Sequence, residues 1–281
     1  MSLVSVNEIL LKAQKHGYAV GAFNVENLEM IQAVVAAAEE LCSPVIIQTT
    51  PSTLKYAPPR QIAAIVRSLV NSTNVPVALH LDHGDSFDLA AQAMQSGYSS
   101  VMIDGSKLPF EENIALTKSV VAFCRPCGVS VEGELGAIGG KEDGVEGEIK
   151  YTEPEEAADF ASRTNVDALA VAIGTAHGIY KNTPVLNIER LKQIREKTNV
   201  PLVLHGTSGV DGEVVKECIA NGICKVNYAT DLRIAFSNGI KEYLKAHADV
   251  FDPKKYNSHA RQKVKECAME KILICGSAYK A

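Results

Sequence analysis

Val77-Ala78-Leu79-His80-Leu81-Asp82-His83-Gly84-Asp85-Ser86-Phe87-Asp88-Leu89-Ala90-Ala91-Gln92-Ala93-Met94-Gln95-Ser96-Gly97-Tyr98-Ser99-Ser100-Val101-Met102-Ile103-Asp104 is the stretch whose pattern decides the fold. Val77–Leu81 is almost continuously apolar, as a parallel strand buried on both faces must be. Ser86–Ser96 switches to a helical pattern that Gly97 closes. Ser99–Ile103 is again a short apolar run. The stretch therefore reads as strand, helix, strand, and working outward the same unit recurs in both directions. Further strands are expected at Tyr18–Phe23, Pro44–Gln48, Val129–Glu134, Ala168–Ile173, Leu202–His205 and Lys225–Tyr228. Helical patterns fill the intervals: Leu28–Leu41, Arg60–Asn71, Phe110–Phe123, Glu155–Thr164, Ile188–Lys197, Gly212–Asn221 and Leu232–His247. Strand–helix units in this number, with short connections, fit a closed (β/α)8 TIM barrel better than an open doubly wound sheet. The open sheet would also predict an early G-x-G-x-x-G turn, which Gly17 and Gly21 do not supply. Tyr256–Cys275 reads as an extra C-terminal helix outside the barrel. No linker, repeat or low-complexity segment divides the chain, so residues 1–281 are expected to form one α/β barrel domain.

Composition narrows the function classes. The chain has 46% hydrophobic and 22% charged residues and a formal net charge of −5, with no basic run to suggest a nucleic-acid or membrane partner. The N-terminus lacks a signal-peptide pattern, and no apolar run approaches the roughly 20 residues that cross a bilayer. Seven cysteines without framework spacing point to a reducing, cytoplasmic setting. Cys124-Arg125-Pro126-Cys127 is open to three readings: a redox pair, half a zinc site, or two incidental thiols at a helix end.

In such a barrel the chemistry sits beyond the carboxyl ends of the strands. His83, His177 and His205 fall just past strands 3, 6 and 7, where separate strand ends converge. Three imidazoles around an open fourth position are what a catalytic Zn2+ needs. Asp82, next to His83, reads either as a carboxylate that orients an imidazole or as a general acid/base on a substrate oxygen. His80 shares the direction of Asp82 by strand alternation and takes a supporting role. Glu142 lies in the Gly-rich segment Gly139–Gly147, either a solvated loop or a lid that delivers a base. Gly206-Thr207-Ser208-Gly209 and Asn227-Tyr228-Ala229-Thr230 follow strands 7 and 8, a recurrent phosphate position in barrels. An enzyme that works through a Schiff base would need a buried lysine at a strand end. Lys107, Lys141 and Lys181 are loop residues, and Lys225 is placed at the far end of strand 8.

With the strand ends read in this way, the chain resembles the class II (metal-dependent) ketose-bisphosphate aldolases. The likeness runs through Gly21-Ala22-Phe23-Asn24, His80-Leu81-Asp82-His83-Gly84, Ser100-Val101-Met102-Ile103-Asp104-Gly105-Ser106, Val131-Glu132-Gly133-Glu134-Leu135-Gly136, Gly139-Gly140-Lys141-Glu142-Asp143-Gly144, Gly174-Thr175-Ala176-His177-Gly178 and Pro201-Leu202-Val203-Leu204-His205-Gly206. The resemblance implies that His83, His177 and His205 are zinc ligands, with Asp104 and Glu134 holding the metal in a second, inward position. It implies that Asp82 handles the proton on the C4 oxygen and Glu142 the proton on the triose carbon. Gly178, Gly206, Ser208, Asn227 and Thr230 match phosphate-binding groups, some of which also bind a monovalent cation (Na+ or K+) through carbonyls. Asn24 and Thr50 match polar groups lining the substrate site.

The implied reaction is reversible cleavage of a small phosphorylated sugar, a ketose 1,6-bisphosphate, to dihydroxyacetone phosphate and glyceraldehyde 3-phosphate. The string Ala229-Thr230-Asp231-Leu232-Arg233 is similar to tagatose-type members; fructose-type members carry Asp or Asn in place of Ala229. Tagatose-1,6-bisphosphate is therefore expected first and fructose-1,6-bisphosphate next, in a homodimer or homotetramer. Other readings stay open: an aldolase for another phosphorylated ketose, a barrel hydrolase activating water on the same histidines, or a non-catalytic barrel subunit.

Overall fold

The strands form because short β-branched and apolar runs can be buried on both faces only between a barrel interior and a ring of helices. The computed structural model describes residues 3–137, 139–142, 145–147, 150–178 and 184–281, with backbone alone for 139–142 and 145–147. Its barrel strands are β1 (Val20–Asn24), β2 (Val45–Thr49), β3 (Val77–Gly84), β4 (Ser100–Ile103), β5 (Ser130–Leu135), β6 (Ala168–Val171), β7 (Leu202–Leu204) and β8 (Ile223–Tyr228). All neighbours pair in parallel, and β8 returns to β1 to close the barrel, with Val20 opposite Lys225 and Ala22 opposite Asn227. The expected (β/α)8 architecture is therefore present, each strand within a few residues of its expected place. The C-terminal helix spans Pro253–Cys275 and packs outside, against the helices Leu28–Glu40 and Thr230–Ala246.

Besides the short helix Pro51–Tyr56, two features that the sequence reading lacks bear on the barrel ends. Val6–His16 is a helix whose apolar face, Val6, Ile9, Leu10 and Ala13, joins one buried cluster with Val20, Ala22, Ile46, Ala78, Ala168 and Val203 from the early parts of the strands. It closes the amino-terminal mouth and ends at Gly17, whose φ of 68° lets its N–H donate to the Ala13 carbonyl. The spacing i, i+3, i+4, i+7 was there to be read. The second is a short antiparallel pair, Gly139–Glu142 with Val145–Gly147, in place of an irregular connection. Gly139 and Gly140 pair in turn with Ala176 and His177, so this segment is docked beside a predicted metal ligand. Among the described residues no helix is long and apolar enough to cross a membrane. The cysteines are unpaired, with Cys124 buried at its helix end and Cys127 exposed.

Candidate active site

The site begins with a break in β3. Regular alternation sends His80 and Asp82 into the barrel and would send His83 outward. Instead the β3–β4 register shifts between Leu81 and Gly84, and His83 adopts a left-handed φ of 47°. Such a conformation is costly for a non-glycine residue and is held here by the surrounding structure. Gly84 permits the turn, because a Cβ there would sit 2.4 Å from the Met102 carbonyl oxygen. Asp82 lines the cavity, and the turn sets its neighbour His83 against His177, which lines the same wall, and His205.

His83, His177 and His205 come together as the sequence reading expects, with one ring nitrogen of each within 4.8 Å of the others. His83 Nε2 lies 2.8 Å from His205 Nδ1, and the His83 and His177 rings meet edge to face at 5.1 Å between centroids. Nitrogens facing one another at this distance, beside a cavity that His177 helps to line, suit a divalent cation between them. His83, Asp104 and Glu134 form a second cluster on the same criterion. His83 Nδ1 is 3.0 Å from Asp104 Oδ2 and 3.8 Å from Glu134 Oε2. Burial would raise the Asp104 pKa, but His83 and Ser106 outweigh it and hold the carboxyl well below its usual range.

Asp82 is the best-supported side chain in the cavity. Asn24 Nδ2 donates to its Oδ2 at 2.8 Å, Asn227 Nδ2 donates to its Oδ1 at 3.1 Å, and Gln48 Nε2 fixes Asn24 in turn at 2.8 Å. Asn24 and Asn227 thus orient the carboxylate as well as lining the cavity. The wall continues through Gly178, Gly206, Thr207, Ser208, Ala229 and Thr230. The helix Thr230–Ala246 starts here with no hydrogen bond from the side chain of its own N-cap residue, Ala229, and its positive dipole end faces the cavity that Ala229 and Thr230 line. Ser208 Oγ accepts from the Ala229 and Asp231 N–H groups at 3.4 Å each. Gly206 has φ 65°, and a Cβ there would lie 2.7 Å from the Ala176 carbonyl oxygen. Thr50 stands apart from this wall, buried at the start of the helix Pro51–Tyr56 with its hydroxyl 3.0 Å from Ser52 Oγ. The side chain of Glu142 and the residue Lys181 lie outside the described residues.

Several groups escaped the sequence reading. Glu132 precedes Glu134 by two on β5, and alternation alone would have turned both inward. Its Oε1 is 2.9 Å from His205 Nε2 and its Oε2 is 2.9 Å from Lys225 Nζ. Lys225 is a correction: it does not open β8, which starts at Ile223, but is the third residue of that strand and wholly buried inside the barrel. Burial would raise the Glu132 pKa, yet Lys225 and the two histidines hold it well below the usual range. His80, with Nδ1 2.8 Å from Ser100 Oγ, is pushed down to about 3, first by burial and then by Lys225. Burial also lowers the pKa of His205, which keeps its ring neutral and its lone pair free at neutral pH. Arg233 lines the cavity too, with Nε 2.7 Å and Nη2 2.6 Å from Glu26 Oε1.

Known proteins fit this geometry. The profile of the family described as fructose-bisphosphate aldolase class-II matches residues 4–280. The chain belongs to this family. Class II aldolases act on small phosphorylated sugars and are generally zinc-dependent, and membership makes this chain a lyase. Among solved structures, this class II aldolase is similar to the YdjI aldolase from Escherichia coli K12, with 39% identity, 99% of each chain covered and a TM-score of 0.90. It is also similar to the fructose-bisphosphate aldolase (Fba) from Campylobacter jejuni, with 26% identity, 100% of this chain and 97% of that one covered, and a TM-score of 0.83.

Proposed function

We propose that this class II aldolase cleaves tagatose-1,6-bisphosphate in preference to fructose-1,6-bisphosphate, releasing dihydroxyacetone phosphate and glyceraldehyde 3-phosphate, with Zn2+ held by His83, His177 and His205. The observation that carries the reading is one continuous cavity wall that joins His177, the Asp82 carboxylate, the open helix end at Thr230 and the small residue Ala229. Three neutral nitrogen donors are the set a catalytic zinc takes while keeping a position for substrate. A cation there supplies Lewis acidity to the ketone and hydroxyl oxygens, offsetting the negative charge that cleavage leaves on the triose half.

The chain's own groups do the rest. Asp82, oriented by Asn24 and Asn227, removes the proton from the C4 hydroxyl as the C3–C4 bond breaks. Glu142 returns a proton to the triose carbon; its strand is docked beside His177 through the Gly140–His177 pair. The helix-end amides with Gly178, Gly206, Ser208 and Thr230 hold a phosphate, and carbonyls of the same loops suit a Na+ or K+ ion. Asp104 and Glu134 offer, with His83, a second cation position further in.

The two substrates differ only in configuration at C4, so selectivity must come from groups near that carbon. Where fructose-type enzymes place a hydrogen-bonding side chain, Ala229 places a methyl group, which changes which epimer leaves its hydroxyl paired. The test is kcat/KM on both epimers, with and without chelator. Higher kcat/KM on tagatose-1,6-bisphosphate, lost on chelation and regained with Zn2+ or Co2+, is expected. A preference for the fructose epimer would refute the substrate assignment, and full activity in chelated enzyme would refute the metal.

A further inference from the structure

Lys225 has no task in the reaction just described, yet its side chain is fully buried inside the barrel. A lysine ammonium so placed is expensive unless paired, and its ladder neighbours Val20 on β1 and Val203 on β7 are apolar. Its counter-ion among the described residues is Glu132, 2.9 Å from Nζ. Glu132 leads directly to the metal site, because its other oxygen is 2.9 Å from His205 Nε2. The far side of that imidazole, Nδ1, faces His83 Nε2 at 2.8 Å.

We propose that Lys225 is a positioning residue: by pinning Glu132 it holds His205 in the tautomer that carries hydrogen on Nε2 and turns the Nδ1 lone pair toward the cation. A carboxylate only accepts hydrogen bonds and a neutral imidazole has one N–H, so the Nε2 contact to Glu132 decides which nitrogen stays free. Glu132 has two oxygens and two histidines within reach, since His80 Nε2 lies 3.6 Å from Oε2. Lys225 occupies Oε2 and leaves Oε1 for His205. Nζ is fully buried and engaged by the Glu132 carboxylate, which does not suit a Schiff-base nucleophile. The inference rests on the reading of His83, His177 and His205 as a cation site.

The test uses the full chain with Lys225→Met, which keeps length and removes the ammonium. Zn2+ affinity, measured by competition with a chromophoric chelator, is expected to fall ten- to a hundredfold, as when outer partners of metal-binding histidines are removed. The visible spectrum of the Co2+-loaded protein should change with it. Adding Glu132→Gln should recover part of the loss, because a neutral amide needs no counter-ion and its oxygen still accepts from Nε2–H. Affinity and spectrum within twofold of wild type in a folded Lys225→Met protein would overturn the proposal, as would a borohydride-trapped substrate adduct on Lys225. If the variant does not fold, 15N-histidine spectra of the metal-free wild type at mildly alkaline pH decide: hydrogen on Nε2 of His205 supports it and hydrogen on Nδ1 overturns it. Wild-type protein that binds no divalent cation would sink the metal reading separately, and the tautomer spectrum would still judge Lys225.

Discussion

The two ends of the barrel interior are built from the same strands and differ in chemistry. Early in the strands most inward residues are apolar, Val20, Ile46, Ala78, Ala168 and Val203, closed over by Leu10 and Ile9 of the first helix, with the Lys225–Glu132 ion pair set among them. Later in the same strands they are Asn24, Gln48, Asp82, Glu134, His205 and Asn227, nearly all tied to one another by hydrogen bonds or ion pairs. Helix Val6–His16 shuts the first end against water, whereas the second opens to the cavity. The difference teaches a division of labour: the amino-terminal half supplies burial energy, and that lets the carboxyl-terminal half carry buried polar groups and a strained residue such as His83.

If the division holds, changes at the two ends should separate activity from stability. His177→Ala should give no turnover above background and lose tight Zn2+ binding, while the chelated variant melts within a few degrees of chelated wild type; a large drop in Tm would show that the histidine is structural. Next in size, Asp82→Asn should slow cleavage by about 10²–10⁴ while leaving metal binding intact. Glu142→Gln should instead mainly slow exchange of the triose proton with solvent, and wild-type exchange in that variant would move the carbon base elsewhere. At the other end, Leu10→Ala should cost about 2–5 kcal/mol in chemical denaturation with kcat unchanged, since it leaves a cavity in a closed apolar cluster. Equal losses of kcat and stability there would break the comparison.

The smallest effect expected is on pH dependence, and it belongs to the polar half. His80 and His205 have folded pKa values below the ordinary 6.5, so the unfolded chain binds protons that the folded chain refuses. Their contribution is fully present above about pH 6.5 and is lost as pH falls toward the folded value, about 3 for His80. Glu132, also depressed, acts in the same direction at lower pH. Tm of the chelated protein should therefore decline steadily on acidification through this window; a flat profile would mean that these rings are not neutral and buried in solution.

Much of this was legible residue by residue. Ile188–Lys197 ran as a helix between the expected bounds because its period and flanks agree, and the Val77–Ile103 unit announced the barrel. The first helix was legible and missed; Val6, Ile9, Leu10 and Ala13 carry its pattern in a segment read only for targeting signals. The strands by themselves showed polar residues gathering at their carboxyl ends, where the apolar runs stop and, in a barrel, the chemistry sits. That placed His83, Asp82, His177 and His205 in one neighbourhood. Sequence could not show that adjacent Asp82 and His83 belong to one site, since alternation separates neighbours on a strand, and the register shift and left-handed turn fall at His83. Nor could it pair Lys225 with Glu132: those residues are 93 positions apart in the chain (225 − 132), and only the closed barrel brings β5 and β8 within reach of each other across its interior. Local pattern fixes which residues are buried; long-range closure decides which buried charges meet.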